Sequence, residues 1–297
     1  MSVLSISLPD GSARELPAGS TVADLAASIG SRLAKAALTG VVNGAEVDLN
    51  VALADGDVVS IVTADSDAGR HVLRHSTAHV LAQAVTQLFP GAKFSVGPAI
   101  EDGFYYDFDL PEGRTFSETD LVAITSRMKE IVSANQPFTR SEVSARDALQ
   151  LFSDQPYKCE IIERVTSGAA DGVDADEVGS GDAISVYRNS PEFVDLCRGP
   201  HVPTTGKLGH FALMKVAGAY WRSSDKGPML QRIYGTAWES KSALEEHLNR
   251  LIEAEKRDHR RLAVEQDLLS FPQELGGGLA VWHPKGAIVR KLMEDYS

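Results

Sequence analysis

Residues 74–89 read RHSTAHVLAQAVTQLF and are followed directly by Pro90-Gly91. The spacing of the apolar residues fits a helix, and a Pro-Gly pair is a strong helix-ending signal. His75 and His79 are four residues apart, so a helix places their rings on the same side. The stretch therefore predicts a helix over 74–89 that presents two imidazoles together.

Toward the N-terminus, residues 1–64 have the pattern of one small α/β domain. SVLSISL alternates as a strand does, and the PDGS that follows is a turn sequence. Thr21 is predicted to cap a short helix that Gly30 ends, and the Asn-Gly pair in VVNGAEVDL predicts a hairpin. This order predicts a β-grasp (ubiquitin-like) sheet, followed by a polar hinge at residues 64–70.

Toward the C-terminus, strand and helix patterns alternate. FSVGPAIEDGFYYDFDL (94–110) has the character of strands and turns. Ser117 with Asp120 predicts a capping box before an amphipathic helix. ALQLFSDQPYKCEIIERV (148–165) predicts a further helix.

The later part of the chain is more polar. Residues 167–182 are rich in Gly, Asp and Ala and predict an exposed loop, and residues 239–263 predict one long polar helix. The predicted fold class is therefore α+β. A β-grasp N-terminal domain is followed by a mixed α+β domain and then by a linker helix.

Composition limits the classes of function. The 297 residues carry a formal net charge of −12, which argues against a predominantly basic nucleic-acid binder, although an acidic protein can still have a basic face. Two cysteines are too few for a disulfide scaffold and suit a reducing compartment. We see neither a signal peptide nor an apolar run long enough for a membrane span, and expect a soluble cytoplasmic protein.

A second motif could join the two histidines. Residues 194–201 read VDLCRGPH, with Cys197 and His201 four residues apart. One thiolate and three imidazoles match a tetrahedral zinc site, and they match equally a cluster that transfers protons and positions water. The spacing does not separate these two interpretations. Asp195 either orients an imidazole or a substrate amine, or only caps a turn.

Other candidate residues carry weaker signals. Lys158 lies in the turn-like QPYKCE, where a lone lysine is normally solvated. Tyr105 and Tyr106 are adjacent in a predicted strand and therefore point to opposite faces, so that one of them could line a pocket. From position 198 to 241 there are seven Lys/Arg against two Asp/Glu, which suits the phosphates of an RNA end or a solvated face.

Four stretches together resemble the N-terminal half of bacterial threonyl-tRNA synthetases: HSTAHVLAQAV, VGPAIEDGFYYDFD, VDLCRGPHVP and LMKVAGAYWR…MLQRIYGTAW. The resemblance runs along nearly the whole chain. It implies a TGS domain at 1–64, an editing domain at 65–240, a linker helix at 241–265 and the start of a class II catalytic domain at 266–297. The later class II motifs are absent from this sequence, so the resemblance implies no synthesis of threonyl-tRNA by this chain.

The family's editing domain hydrolyses seryl-tRNA(Thr). Serine lacks one methyl group of threonine, and a binding pocket gains only about 1–3 kcal/mol from such a difference, so a second site must remove the error. The resemblance implies two residue sets, catalytic His75, His79, Lys158, Asp195, Cys197 and His201, and substrate-binding Tyr106 and Arg222. In this interpretation His75 and Lys158 position or activate water, and Asp195 holds the seryl ammonium or hydroxyl. The other three catalytic residues shape the pocket.

The resemblance also implies cofactors and partners. The editing site is expected to be free of metal, with zinc on His75, His79, Cys197 and His201 as the alternative, because alanyl relatives bind zinc with the same cluster. ATP, magnesium and a further zinc belong to the missing catalytic half. The expected partner is the acceptor end of tRNA(Thr), with no membrane. The fragment is expected to be a monomer and the full-length parent a homodimer. The remaining alternatives are a zinc-dependent aminoacyl-tRNA deacylase and a non-catalytic tRNA-docking fragment.

Overall fold

The computed structural model describes residues 3–169, 183–223, 227–276 and 278–296. The chain forms two compact units, Met1–Leu244 and Glu245–Ser297. Most of the predicted loop at 167–182 lies outside the described residues.

The first unit begins with a β-grasp arrangement, as predicted. Its elements are β1 (Val3–Ser7), β2 (Ala13–Pro17), α1 (Val22–Ile29), α2 (Ser31–Ala36), β3 (Ala37–Val42), β4 (Ala45–Asp48) and β5 (Val59–Thr63). Strands β1 and β2 form a hairpin, and β4-β3-β5 form an antiparallel sheet that a parallel bridge between Ser7 and Val58 joins to the hairpin. Helix α1 packs Val22 and Leu25 into the core beneath these strands.

Local signals in this region behave as predicted. Thr21 caps α1 in a reciprocal capping box with Asp24, and Gly30 ends the helix. The β3–β4 hairpin turns through Asn43 and Gly44, whose φ angles are 50° and 85°. Both residues therefore occupy the left-handed region that a two-residue Asn-Gly hairpin turn requires.

The central helix, α3 (Asp67–Leu88), is longer than predicted. Ser66 caps it by accepting a hydrogen bond from the Gly69 N–H at 3.0 Å, so the helix begins seven residues before position 74. The predicted hinge at 64–70 is therefore wrong from Asp67 onward. A Cβ at Gly69 would overlap the Thr63 carbonyl, so the first turn of α3 packs directly against the end of β5.

Helix α3 packs on an antiparallel sheet whose strands differ in length. This sheet has the order β12-β13-β8-β6, with β7 also paired to β8, and a second sheet has the order β11-β10-β9. The strands are β6 (Lys93–Phe94), β7 (Ala99–Ile100), β8 (Gly103–Asp109), β9 (Thr139–Ser144), β10 (Ala183–Ser190), β11 (Phe193–Leu196), β12 (Phe211–Tyr220) and β13 (Met229–Ala237). Phe104, Tyr106 and Phe108 of β8 join the core with α3, whereas Tyr105 points to the other face, as strand alternation predicts. Leu38 of the β-grasp region is buried in this same core.

The described part of the first unit also contains the helices α4 (Glu118–Ser133), α5 (Ala145–Leu151) and α6 (Pro156–Thr166). Ser117 and Asp120 form the predicted capping box of α4. The single helix predicted over 148–165 is wrong, because the chain leaves the helix after Leu151 and restarts at Pro156. Proline suits the first turn of a helix, where its missing N–H costs nothing. Lys158 therefore lies in a helix and not in a turn.

The last elements are α7 (Lys241–Lys256), α8 (His259–Glu265), β14 (Leu269–Ser270), β15 (Val281–Trp282) and α9 (Pro284–Tyr296). The predicted single helix over 239–263, like the implied linker helix at 241–265, is interrupted. Asp258 accepts a hydrogen bond from the Arg260 N–H at 2.8 Å and so caps a new helix at His259. No helix among the described residues is both long enough and apolar enough to cross a membrane.

Candidate active site

The four predicted His and Cys side chains meet. His75 and His79 come from α3, Cys197 directly follows β11, and His201 lies beyond the turn that starts at Cys197. The nitrogen and sulfur atoms of the four lie within 4.8 Å of one another. Two sequence motifs more than a hundred residues apart therefore form one cluster.

Direct contacts connect three members of this cluster. His75 Nε2 lies 2.9 Å from Cys197 Sγ, and Cys197 Sγ lies 3.2 Å from His201 Nε2. The Gly199 N–H donates to the same sulfur at 3.2 Å. Ser76 Oγ accepts from the Val202 N–H and lies 2.9 Å from His201 Nδ1, which fixes the plane of the His201 ring. The sulfur is thus the common partner of two imidazoles and one backbone amide.

A buried ion pair adjoins the cluster. Lys158 Nζ lies 2.6 Å from Asp195 Oδ1, and the side chains are 0% and 1% exposed. Tyr106 donates its hydroxyl to Asp195 Oδ2 at 2.5 Å, and His79 Nδ1 lies 3.8 Å from that same oxygen. The ammonium also lies over the ring of Phe94 at 5.4 Å. The structure therefore brings Lys158, Asp195 and Tyr106 to the four-residue cluster through His79.

Burial keeps the three imidazoles neutral. It is the largest cause that lowers the pKa of His75 to about 3, with His71 and Lys158 adding to the effect. The pKa of His79 is held well below its usual value by burial and then by His75 and Lys158. Burial likewise lowers the pKa of His201, with smaller contributions from the other two histidines of the cluster. Neutral imidazoles can accept or donate hydrogen bonds, and they can bind a metal.

Asp195 responds to burial in the opposite direction. Burial raises the pKa of the Asp195 carboxyl, while Lys158, Tyr106 and a backbone N–H act to lower it. The ion pair is the reason that we assign a charged carboxylate to this position, because an ammonium at 2.6 Å strongly favours the charged form.

The cluster lies at the edge of a cleft of about 880 Å³. His75 lines this cleft and is partly exposed, whereas His79, Cys197 and His201 are 1–2% exposed. Residues 44–48 of the β-grasp region line this cleft, and Arg140 and Arg198 line it as well. Of the six residues predicted to be catalytic, His75 is the one that a ligand in the cleft meets first.

The donor types fit zinc, but their spacing is tight. Around a tetrahedral zinc ion, neighbouring nitrogen and sulfur ligands are separated by about 3.5 Å. The two sulfur–nitrogen distances here are 2.9 and 3.2 Å, which are the lengths of direct hydrogen bonds. His75, His79, Cys197 and His201 could hold the ion if the His75 nitrogen and the Cys197 sulfur moved apart by about 0.6 Å.

The described contacts of Arg222 join it to Glu160 and Trp221. Arg222 lies in the turn after β12, with a φ of 52°, and its Nε donates to Glu160 Oε1 at 2.7 Å. Its guanidinium lies over the ring of Trp221, 4.9 Å from the centroid. Its role in substrate binding stays a prediction.

Sequence reasoning missed four residues that build the site: Asp48, Ser76, Tyr187 and Gly199. Ser76 lies between His75 and His79 in the sequence, and this position next to a candidate ligand could have identified it. Gly199 has a φ of 77°, and a Cβ there would overlap the Tyr187 hydroxyl, so the motif CRGPH requires glycine at this position. Asp48 comes from a separate region of the chain and carries no local signal.

Comparison with known proteins agrees with this architecture. A family model for the TGS domain matches residues 4–63, and one for the threonyl and alanyl tRNA synthetase second additional domain matches residues 184–234. The chain is 49% identical over its whole length to the threonine--tRNA ligase of Pelobacter propionicus. It is 51% identical, over 97% of its length, to that of Thermobifida fusca. The chain matches the N-terminal part of bacterial threonine--tRNA ligases.

This match covers only part of the relatives. The chain spans 44% of the length of each of these two ligases. The second additional domain match includes Asp195, Cys197 and His201, whereas the two histidines of α3 lie before it in the sequence.

Proposed function

We propose that this chain hydrolyses seryl-tRNA(Thr), releasing serine and tRNA(Thr). The observation that carries the proposal is the joining of His75, His79, Cys197 and His201 to the Lys158–Asp195 pair beside an open cleft. The proposal is supported by the match to a domain shared by threonyl and alanyl tRNA synthetases. The acceptor end of the tRNA is the proposed ligand of the cleft, where Arg140 and Arg198 offer positive charge to its phosphates.

The reaction adds water across the ester. The water oxygen bonds to the seryl carbonyl carbon, the bond from that carbon to the ribose oxygen breaks, and the water proton ends on the ribose oxygen. His75 faces the cleft as a neutral imidazole and can hold the water by a hydrogen bond. With a pKa of about 3 it is a weak base, so we assign it a positioning role and route the proton through the neighbouring ribose hydroxyl.

Selection for serine is assigned to the buried end of the site. Asp195 is proposed to receive the seryl ammonium or hydroxyl, which would take over part of its contact with Tyr106 or Lys158. His79 lies 3.8 Å from Asp195, and its own neighbours Cys197 and His201 are as buried as it is, so we propose that these side chains exclude the extra methyl of threonine. Lys158 supplies positive charge near the developing oxyanion and keeps Asp195 charged.

We propose that this hydrolysis needs no metal. The sulfur–nitrogen distances are those of hydrogen bonds, and the Lys158 ammonium near His79 would repel a divalent cation. The donor set favours one competing function, a zinc-dependent aminoacyl-tRNA deacylase that uses the same four ligands. A third candidate, docking of tRNA without chemistry, is supported only by the family match.

The relatives are more than twice as long as this chain. We propose that a protein extended as they are joins threonine to tRNA(Thr) with ATP and magnesium, and that it works as a cytoplasmic homodimer. The sites for ATP, magnesium and zinc would lie in the part of the relatives with which this chain does not align.

The proposed function is tested by incubating the chain with seryl-tRNA(Thr) and with threonyl-tRNA(Thr), with and without chelator. We expect loss of serine only, insensitive to chelator, and no stoichiometric zinc by metal analysis. Cys197→Ser should reduce the rate, whereas Cys159→Ser is the matched control outside the cluster and should not. Activity lost to chelator would establish the zinc deacylase instead. A folded chain that binds the tRNA but releases no serine would leave only the docking role.

A further inference from the structure

Asp48, at the end of β4 in the β-grasp region, reaches across to the site. Its Oδ1 accepts a hydrogen bond from the His201 backbone N–H at 2.9 Å, and its Oδ2 accepts from the Tyr187 hydroxyl at 2.7 Å. Each carboxylate oxygen therefore has a partner in the part of the chain that carries the cluster. Hydrogen bonds to a charged acceptor are stronger than neutral ones, so this carboxylate is a firm anchor.

The two partners of Asp48 hold the same turn from different sides. His201 ends the turn, and the Asp48 carboxylate fixes its backbone. The Tyr187 ring packs edge-on against the His201 ring, with centroids 4.5 Å apart, and the Tyr187 hydroxyl occupies the space where Gly199 would carry a side chain. Phe138 stacks on the His201 ring, with centroids 4.6 Å apart. The position of His201 is thus set by Asp48, Tyr187 and Phe138 together.

From His201 the contacts continue to the cleft. His201 Nε2 touches Cys197 Sγ, and Cys197 Sγ touches His75 Nε2. A shift of the turn would move the sulfur and, with it, the imidazole that faces the cleft. Reacting groups misplaced by about 1 Å can lose about 100-fold in rate.

We propose that Asp48 is a positioning residue of the editing site, so that the β-grasp region completes the geometry of the His/Cys cluster. This inference rests on the proposed function. In this role Asp48 does not contact the reacting atoms. It acts through His201 and Tyr187 on the turn that carries Cys197.

A simpler role for Asp48 would be to hold the β-grasp region against the rest of the unit. The chain offers a matched control for that role. Lys207 Nζ donates to the Lys35 carbonyl at 2.5 Å, a bond that also joins the β-grasp region to the rest of the unit. Lys207 has no contact with the cluster in the described structure. Lys207→Met therefore removes one fastening bond and leaves the turn in place.

The test compares Asp48→Ala, Asp48→Asn and Lys207→Met in single-turnover hydrolysis of seryl-tRNA(Thr) by the full chain. Asp48→Ala should lower the rate constant at saturating enzyme by about 10- to 100-fold, with the half-saturating concentration within about twofold. Asp48→Asn keeps an acceptor for the His201 N–H and should recover part of the loss. Lys207→Met should match the unchanged chain. Equal losses for Asp48→Ala and Lys207→Met, or no loss for Asp48→Ala, would overturn the inference.

A second measurement separates this inference from the proposed function. The ring resonances of His75 and His201 in NMR spectra report the cluster geometry without any substrate. Asp48→Ala should shift both, and Lys207→Met should shift neither. If the unchanged chain hydrolyses no seryl-tRNA(Thr), the proposed function fails, and the histidine shifts alone decide whether Asp48 positions the cluster. Unshifted His75 and His201 resonances in folded Asp48→Ala would reject it.

Discussion

Strand β8 has an aspartate–cation pair on each of its two faces, and the pairs are built differently. On the outer face Asp107 binds Arg232 through both carboxylate oxygens, at 2.6 and 2.8 Å, and the guanidinium lies 3.8 Å from the Tyr105 ring centroid. On the inner face, Tyr106 donates to Asp195, which gives its other oxygen to Lys158. Burial raises the pKa of both carboxyls.

The two pairs differ in how many carboxylate oxygens remain available for other hydrogen bonds. The guanidinium fork engages both oxygens of Asp107, so that pair is self-contained and serves the sheet. Lysine is a point charge with a single long stem, and it leaves the second oxygen of Asp195 to a hydroxyl and, at 3.8 Å, to His79. The Asp195–Lys158 pair leaves one carboxylate oxygen for other partners beside neutral imidazoles, which suits binding or catalysis. The Asp107–Arg232 pair uses both oxygens, which suits a structural role.

The largest effect is expected for removal of the cation. Lys158→Met leaves the Asp195 carboxylate buried without its partner and should lower the free energy of unfolding by about 3–5 kcal/mol. Arg232→Met should cost less, about 1–3 kcal/mol, because the Arg232 side chain is 23% exposed whereas the Lys158 side chain is 0% exposed. Urea denaturation of both variants measures the difference. Equal losses of unfolding free energy in the two variants would show that water reaches the two pairs equally.

Replacing the aspartate of each pair by asparagine should affect the hydrolysis rate in the Asp195 pair only. Asp195→Asn keeps the shape and should slow hydrolysis of seryl-tRNA(Thr) by about 100-fold, the size typical of a lost charged group in a catalytic site. Asp107→Asn is the matched control and should remain within about threefold of the unchanged chain. Deacylation rates at equal folded fraction check this. A control as slow as Asp195→Asn would mean that the sheet, and not the site, controls the rate.

The imidazoles beside the inner pair add a pH dependence of their own to the stability of the chain. The unfolded chain protonates its histidines as the pH falls below about 6.5, whereas the folded chain keeps the pKa of His75 at about 3 and that of His79 well below its usual value. Stability from each is complete above pH 6.5 and is lost as the pH falls, by about 1.4 kcal/mol per pH unit. His79→Gln should reduce the slope of unfolding free energy between pH 6 and 4 by about that amount. A slope that His79→Gln leaves unchanged would contradict this prediction.

Short-range signals predicted much of the fold. Thr21, Ser117 and the Asn43–Gly44 pair act through their immediate neighbours, so their roles follow from sequence alone. The early start of α3 was missed because Gly69 weakens the helix pattern, and the close packing on Thr63 that favours it is a tertiary contact.

The candidate site likewise contains residues that the sequence predicts and residues that only the packed fold reveals. The spacing of His75, His79, Cys197 and His201 suggested a common ligand set, which the fold brings together. The local pattern around Lys158 favours a solvated turn, and only the resemblance implies a catalytic role. A local pattern takes no account of Asp195, which lies 37 positions further along the chain. Asp48 could not be found, since its partners, His201 and Tyr187, are known only once the regions are packed.

Leu38 belongs to the β-grasp strands, yet it is only 3% exposed because it lies in the core built around α3. A gene fragment cut at the sequence boundary near position 64 would therefore uncover apolar surface on both pieces. Anyone transplanting the histidine cluster into another scaffold would need to carry the β-grasp region with it or replace that surface. The unit that can be inherited or exchanged intact is thus larger than the domain that bears the chemistry.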